Sequence, residues 1–233
     1  MNLFKHPTHC ALVGCLFLAS ASVAAGPIVF TNSEYTAFAS AELGPETDGP
    51  YALSSPPGTL PLIASANLFD VPDSSFATGI TNTGLLVAST QAFSLGTSAS
   101  GVSGASFSGQ FIGTGEQVDF AIDFSTFNNV INGIANAQLF VTLVSNGTAL
   151  FDEVFDTSQL VQQSFILSTG STNLFDIQLI SNADALGDVG DPALGFNLAS
   201  AAFNVSAVPE PGMAWLMLAG MGLLGLTRRK WRV

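Results

Sequence analysis

A chain of 233 residues, 48% hydrophobic and only 9% charged, has room for one domain, or two at most. Its formal net charge of −12, with 17 acids against five basic residues, excludes a coiled coil, a disordered acidic tail and a nucleic-acid binder. The placement of charge says more than its sum. Lys5, Arg228, Arg229, Lys230 and Arg232 are the only basic residues, His6, His9, Cys10 and Cys15 are the only His and Cys, and every acid lies between Glu34 and Glu210.

Residues 1–25 read as an export signal. Lys5 sits in a short polar start, an apolar stretch covers 11–25, and Ser22-Val23-Ala24-Ala25-Gly26 offers small residues to a signal peptidase. The expected cut follows Ala25 or Ala24. A retained anchor is the other reading, but the run is short of the ~20 residues a span needs. A third is a lipobox at Leu12-Val13-Gly14-Cys15, although most of the apolar core follows Cys15 rather than preceding it.

The body, residues 26–207, carries strand periodicity. Val118, Phe120, Ile122 and Phe124 alternate with Asp119, Ala121, Asp123 and Ser125, which describes a strand with one wet face. Segment 139–143 alternates less cleanly, and Phe175, Ile177 and Leu179 alternate with Asp176, Gln178 and Ile180. Weaker strands are expected at 28–30, 35–39, 60–69, 85–93, 149–155, 164–167 and 199–205. Turn signals fall between them: Gly44-Pro45, Pro56-Pro57-Gly58, Asn82-Thr83-Gly84, Asn132-Gly133, Asn146-Gly147 and Asp191-Pro192. Asn146-Gly147 is the best hairpin signal and Asn132-Gly133 the second. The Ser-, Gly- and Ala-rich stretch 96–109 reads as a loop or an edge strand, and 156–163 as one short helix capped by Asp156 or Thr157. The fold class expected is all-β: an antiparallel β-sandwich, jelly-roll-like, between an N-terminal signal peptide and a C-terminal single transmembrane helix.

The body is poorly equipped for catalysis. Residues 26–208 hold 16 acids but no Lys, Arg, His, Cys, Met or Trp. A serine triad lacks its base, a thiol enzyme its nucleophile, and a zinc site its usual ligands. A glycosidase carboxylate pair is the remaining chemistry, and aromatic sugar platforms are scarce, with only Tyr35 and Tyr51. The expectation is a body that is not an enzyme and has no cofactor, calcium excepted. Asp184, Asp188 and Asp191 share a glycine-bearing loop and form the candidate calcium set, because hard oxygen ligands on a flexible loop suit that ion. Simple solvated carboxylates are the plainer account of the same residues. Trypsin has no site between Gly26 and Thr227.

Residues 208–233 carry the strongest signal. Val208-Pro209-Glu210-Pro211-Gly212 leads into an apolar run, 213–226, closed by Arg228-Arg229-Lys230-Trp231-Arg232. The prolines make a stiff spacer. The run spans about 21 Å as a helix, short of a hydrocarbon core of about 30 Å unless the bilayer thins or the basic chains snorkel. Arg228, Arg229, Lys230 and Arg232 form the transmembrane stop and stay cytoplasmic by the positive-inside rule.

This arrangement resembles the PEP-CTERM sorting tail of Gram-negative bacteria, which also goes by the name of an ice-binding protein C-terminal domain. The resemblance covers only the tail and implies that Pro209, Glu210 and Pro211 are the sorting signal. It implies exosortase, a membrane-embedded cysteine transpeptidase or protease, as a processing partner beside signal peptidase, and transient anchoring in the inner membrane. It further implies export to the cell envelope, outer surface or extracellular matrix, in association with exopolysaccharide and biofilm. A non-catalytic surface or matrix protein is therefore the first expectation, and a carbohydrate-binding module, calcium-dependent in one version, is the alternative. Ice binding is a remote variant, because no Thr-x-Thr ladder is visible.

Overall fold

The computed structural model describes residues 26–55, 59–187 and 191–208. The expected signal peptide, the Pro-Glu-Pro signal, the transmembrane helix with its basic stop, and Asp188 lie outside the described residues. The elements are β1 (Gly26–Pro27), β2 (Asn32–Leu43), β3 (Glu46–Ser55), β4 (Leu62–Asp70), β5 (Asp73–Asn82), β6 (Leu85–Ser94) and β7 (Ser98–Ile112). They continue as β8 (Gln117–Ile131), β9 (Gly133–Ser145), β10 (Thr148–Phe155), β11 (Gln159–Ile166), β12 (Thr172–Leu186) and β13 (Ala193–Val208).

The fold is an all-β sandwich, as the alternation at 118–125 implies. One sheet runs β11-β8-β13-β6-β5-β4, with β1 added on β13, and the other runs β10-β9-β12-β7-β2-β3. Every pairing is antiparallel. Val118, Phe120, Ile122 and Phe124 point inward from β8. Asn146-Gly147 closes the β9–β10 hairpin with both residues at positive φ, 48° and 79°, the conformation that a tight hairpin turn demands.

Three buried clusters of different thickness fill the sandwich. One is phenylalanine-rich: Phe107, Phe111, Phe120, Phe124 and Phe175 are buried, with Phe30, Phe151, Phe155, Phe165 and Phe203 packed against them. Phe120 and Phe175 lie 5.0 Å apart between ring centroids, and Phe107 and Phe203 5.1 Å. A third cluster gathers Leu43 with Ala92, Ala99, Ala183, Ala185 and Ala193, and the remaining one is built from alanines at 37, 39, 41, 64, 66 and 77 with Leu62 against them. There the sheets approach to backbone contact. A Cβ on Gly79 of β5 would collide with the Gly104 carbonyl and stand 2.6 Å from that of Phe38, and one on Gly101 would stand 2.8 Å from that of Phe76.

A buried polar belt crosses the sandwich. Thr90 donates to Ser181 (2.8 Å), Ser181 to the Asn197 side-chain carbonyl (2.7 Å), and the Asn197 amide to Thr126 (3.1 Å) and to Asn128. Ser103 closes onto the Ser89 carbonyl at 3.1 Å. Because its members are paired, the belt avoids the penalty of bare buried polar groups.

Several expectations are corrected. Residues 156–163 form no helix: β11 begins at Gln159 and pairs with the free side of β8, so hydrogen bonding along an open sheet edge overrides the local cap signal. The stretch 96–109 is neither loop nor edge, because β7 lies between β12 and β2 in the middle of its sheet. Of its glycines, Gly101 answers the close approach of the opposite sheet, whereas a Cβ on Gly104 would meet the Phe38 ring and one on Gly109 the rings of Phe30 and Phe107. Asn132-Gly133 makes no hairpin. It carries the chain from β8 in one sheet to β9 in the other. Gly133 is needed there because a Cβ would stand 2.6 Å from the Asp184 carbonyl and 2.9 Å from that of Leu194. Residues 28–30 lie outside any strand, whereas β3 and β5 carry no alternation clear enough to be expected.

Candidate functional site

Three places on this scaffold bear on function: the end of β13, the acidic rows on the outer face of the second sheet, and an acid-free stretch on the outer face of the first.

β13 is the longest strand and lies inside its sheet, bonded to β8 along Leu194–Val208 and to β6 along Ala193–Ala202. Beyond the end of β6, β1 takes its place, with Gly26 opposite Ala207 and Pro27 opposite Ser206. The start of the described body and its last strand therefore meet at one corner. Residues 207–232 match the family model of the PEP-CTERM protein-sorting motif. The chain carries a PEP-CTERM sorting motif. Its first two residues, Ala207 and Val208, are also the last two of β13, so the sorting motif begins inside the sheet with no linker between.

On the second sheet, register places Glu34, Ser108 and Asp176 in one row and Glu42, Ser100 and Asp184 in another. Ser100 donates to Glu42 at 3.4 Å. Partial burial, and then the Glu42 carboxylate, push Asp184 above the ordinary carboxylate range. Asp191 instead accepts the Asn132 side-chain amide at 3.1 Å. Of the candidate calcium set, Asp184 thus belongs to the Glu42 row and Asp191 to the β8–β9 corner. Among the described residues no three carboxylate, His or Cys side chains gather closely enough to hold a metal ion.

Asp73 has a clear structural task. It is buried and accepts the Leu95 amide and the Thr97 hydroxyl, each at 2.5 Å, which fixes the turn from β6 into β7. These bonds, Thr97's first, hold its carboxyl below the usual range. Asp48 is likewise held low, by the Asn67 backbone N–H and then the Tyr51 hydroxyl.

The outer face of the first sheet escaped sequence reasoning. Register aligns Asn129, Phe196, Gln91, Phe76 and Asn67 across β8, β13, β6, β5 and β4, an alternation of amides and phenyl rings. Phe127 packs edge-to-face on Phe196 at 6.2 Å, and Phe69 on Phe76 at 4.8 Å, so one ring pair flanks Gln91 on each side. Phe127 is 61% exposed and Phe69 64%. No acid occupies this row or the two beside it, Phe127-Leu198-Ser89-Thr78-Ser65 and Ile131-Leu194-Phe93-Ser74-Phe69. Elsewhere, at the open side of the sandwich, Phe151, Phe155, Leu160 and Val161 line a groove of about 380 Å³ between β10 and β11.

No curated protein matches the chain. Solved structures offer distant likenesses. TmCBM61, solved in complex with beta-1,4-galactotriose, has a TM-score of 0.25 and 8% identity, over 55% of this chain and 85% of its own. A GH31 alpha-xylosidase from Xanthomonas citri has a TM-score of 0.24 and 10% identity, over 80% of this chain and 19% of its own. The VP2 subviral particle of infectious bursal disease virus has a TM-score of 0.22 and 10% identity, over 88% of this chain and 74% of its own. Likenesses this distant carry no argument about what the chain does.

Proposed function

We infer that the chain is an exported, exosortase-sorted protein of the cell surface or extracellular matrix whose body is a non-catalytic β-sandwich associated with exopolysaccharide. The observation that carries this reading is the sorting motif at 207–232, which follows directly from the central strand of the body. The absence of His, Cys, Lys and Arg from residues 26–208 supports a non-catalytic body. The winding of β6 to β13, ordered β11-β8-β13-β6 against β10-β9-β12-β7, supports the jelly-roll form of the sandwich. In this reading the sorting tail holds the body outside the inner membrane, with Arg228, Arg229, Lys230 and Arg232 inside, until exosortase acts near Pro209, Glu210 and Pro211.

The deciding measurement is the intact mass of the native protein from cell envelope and from culture medium. A species that starts at Gly26 and ends between Pro209 and Gly212, with or without an added glycan mass, is expected. A species that keeps Arg232 and Val233 in both fractions overturns processing.

The second reading, a carbohydrate-binding module, is favoured by the amide and ring row on the first sheet. Calcium dependence of that binding would draw on Asp184, Asp188 and Asp191.

A further inference from the structure

One stretch of the first sheet's outer face sets rings and amides side by side without an acid among them, while Asp119 and Asp123 stand further along β8 on the same face. Residues 26–208 carry 16 acids and no basic side chain, so the carboxylates of the body have no protein side-chain counter-charge. The row Asn129, Phe196, Gln91, Phe76 and Asn67 contains none, and Asp48 of β3 reaches its end, where it accepts the Asn67 backbone N–H at 2.8 Å. Adjacent strands stand about 4.8 Å apart, which makes the row about 19 Å long and sets Phe196 and Phe76 about 9.6 Å apart. Among the described residues the three side-chain amides have no hydrogen-bond partner in the protein. Each amide offers both donors and an acceptor.

We propose that this row is a binding platform for an extended, neutral, β-linked polysaccharide lying across the strands. The ligand follows from the chemistry of the row. A pyranose ring has an apolar C–H face that meets the electron-rich face of a phenyl ring, and an equatorial rim of hydroxyls, each both donor and acceptor, that meets amides. A straight alternation of rings and amides suits a ribbon-like chain that repeats those two features. The ligand is neutral because an anionic one would find no cation in the body and would meet its carboxylates. A second copy of this chain is the poorer occupant, since a dry protein contact would bury Asn129, Gln91 and Asn67 opposite rings, and unpaired buried amides are penalised. The proposal rests on the reading of the body as a surface-exposed, non-catalytic module, and it deepens the carbohydrate-binding alternative by naming the face and the ligand class.

The test is native electrophoresis of the full chain in mild detergent. The gels contain glucomannan, hydroxyethylcellulose or galactan as neutral probes, or polygalacturonate as an anionic one. Retardation by at least one neutral probe and none by polygalacturonate is expected. The double variant Phe76→Ala/Phe196→Ala should abolish it, and Gln91→Leu, a change confined to the outer face, should weaken it about tenfold. Ile134→Ala, on the opposite sheet, should leave it unchanged. Thermal melts establish that each variant is folded, and if the double variant is not, Gln91→Leu alone decides. No retardation by any neutral probe, or retardation that survives Gln91→Leu unchanged, overturns the proposal. So does a dimer, seen by sedimentation, that Gln91→Leu strengthens. Newly released reducing ends would instead refute the non-catalytic reading of the body and leave the platform standing.

Discussion

Gly79→Ala tests whether the two sheets meet backbone to backbone in the alanine half. Gly79 has no positive φ, so the substitution changes space alone. In an unconstrained strand, alanine in place of glycine gains about 0.5–1 kcal/mol. Here the new methyl would collide with the Gly104 carbonyl and stand 2.6 Å from the Phe38 carbonyl. Ordinary carbon contacts lie about 3.5–4.0 Å apart, so the sheets must part by roughly 1 Å. Neither obstacle is a side chain that can swing away. Both are backbone, in strands paired to each other at Phe38 and Gly104. Overpacking costs about 1–3 kcal/mol, and rigid obstacles argue for the upper end. Set against the intrinsic gain, the net loss is about 2 kcal/mol, or about 4–8 °C in Tm for a body of this size. Urea unfolding should show a lower midpoint at unchanged slope. A variant as stable as the parent, or more stable, would refute the close approach of the sheets.

Asp73→Ala removes the acceptor for Leu95 and Thr97 and should cost about 1–3 kcal/mol, read as a lower urea midpoint. The pH profile should show its maximum on the acid side of neutrality. Asp184 has a raised carboxyl, so its contribution is full below the ordinary 3.8 and is lost as pH rises through its folded value. Asp48 and Asp73 have lowered carboxyls, so theirs is present above 3.8 and is lost as pH falls through their folded values. Asp184→Asn should therefore flatten the gain seen between neutrality and that value, measured as Tm against pH. EDTA should leave the melt unchanged, because Asp184 and Asp191 serve different neighbours; a chelator-dependent drop would restore the calcium loop.

The strands that bury large residues on one face were legible in sequence, β8 above all. The hairpin at Asn146-Gly147 was legible too, since its turn chemistry is local. What stayed hidden depends on the opposite sheet. In β7, Ala99, Gly101, Ser103 and Ala105 show no hydrophobic period because the space they face is too thin for anything larger. Asn132-Gly133 has the chemistry of a hairpin, but the partner of β9 on the core side of the chain reversal is β12, which lies elsewhere in sequence. The amide and ring row could not be seen at all. Its members stand at 129, 196, 91, 76 and 67, and only register sets them side by side. The sorting motif was the opposite case, because all its parts are contiguous.

The seating of β13 has a mechanical consequence. A tether pulling at Val208 loads that strand along its own axis, and the bonds to β8 and to β6 resist together in shear rather than opening one at a time. β1, held to β13 at Gly26 and Pro27 and by the Ile28 N–H on the Val205 carbonyl, is the shortest of these pairings and would give way first. A body hung from its last strand can thus bear drag on its tether through two neighbouring strands at once.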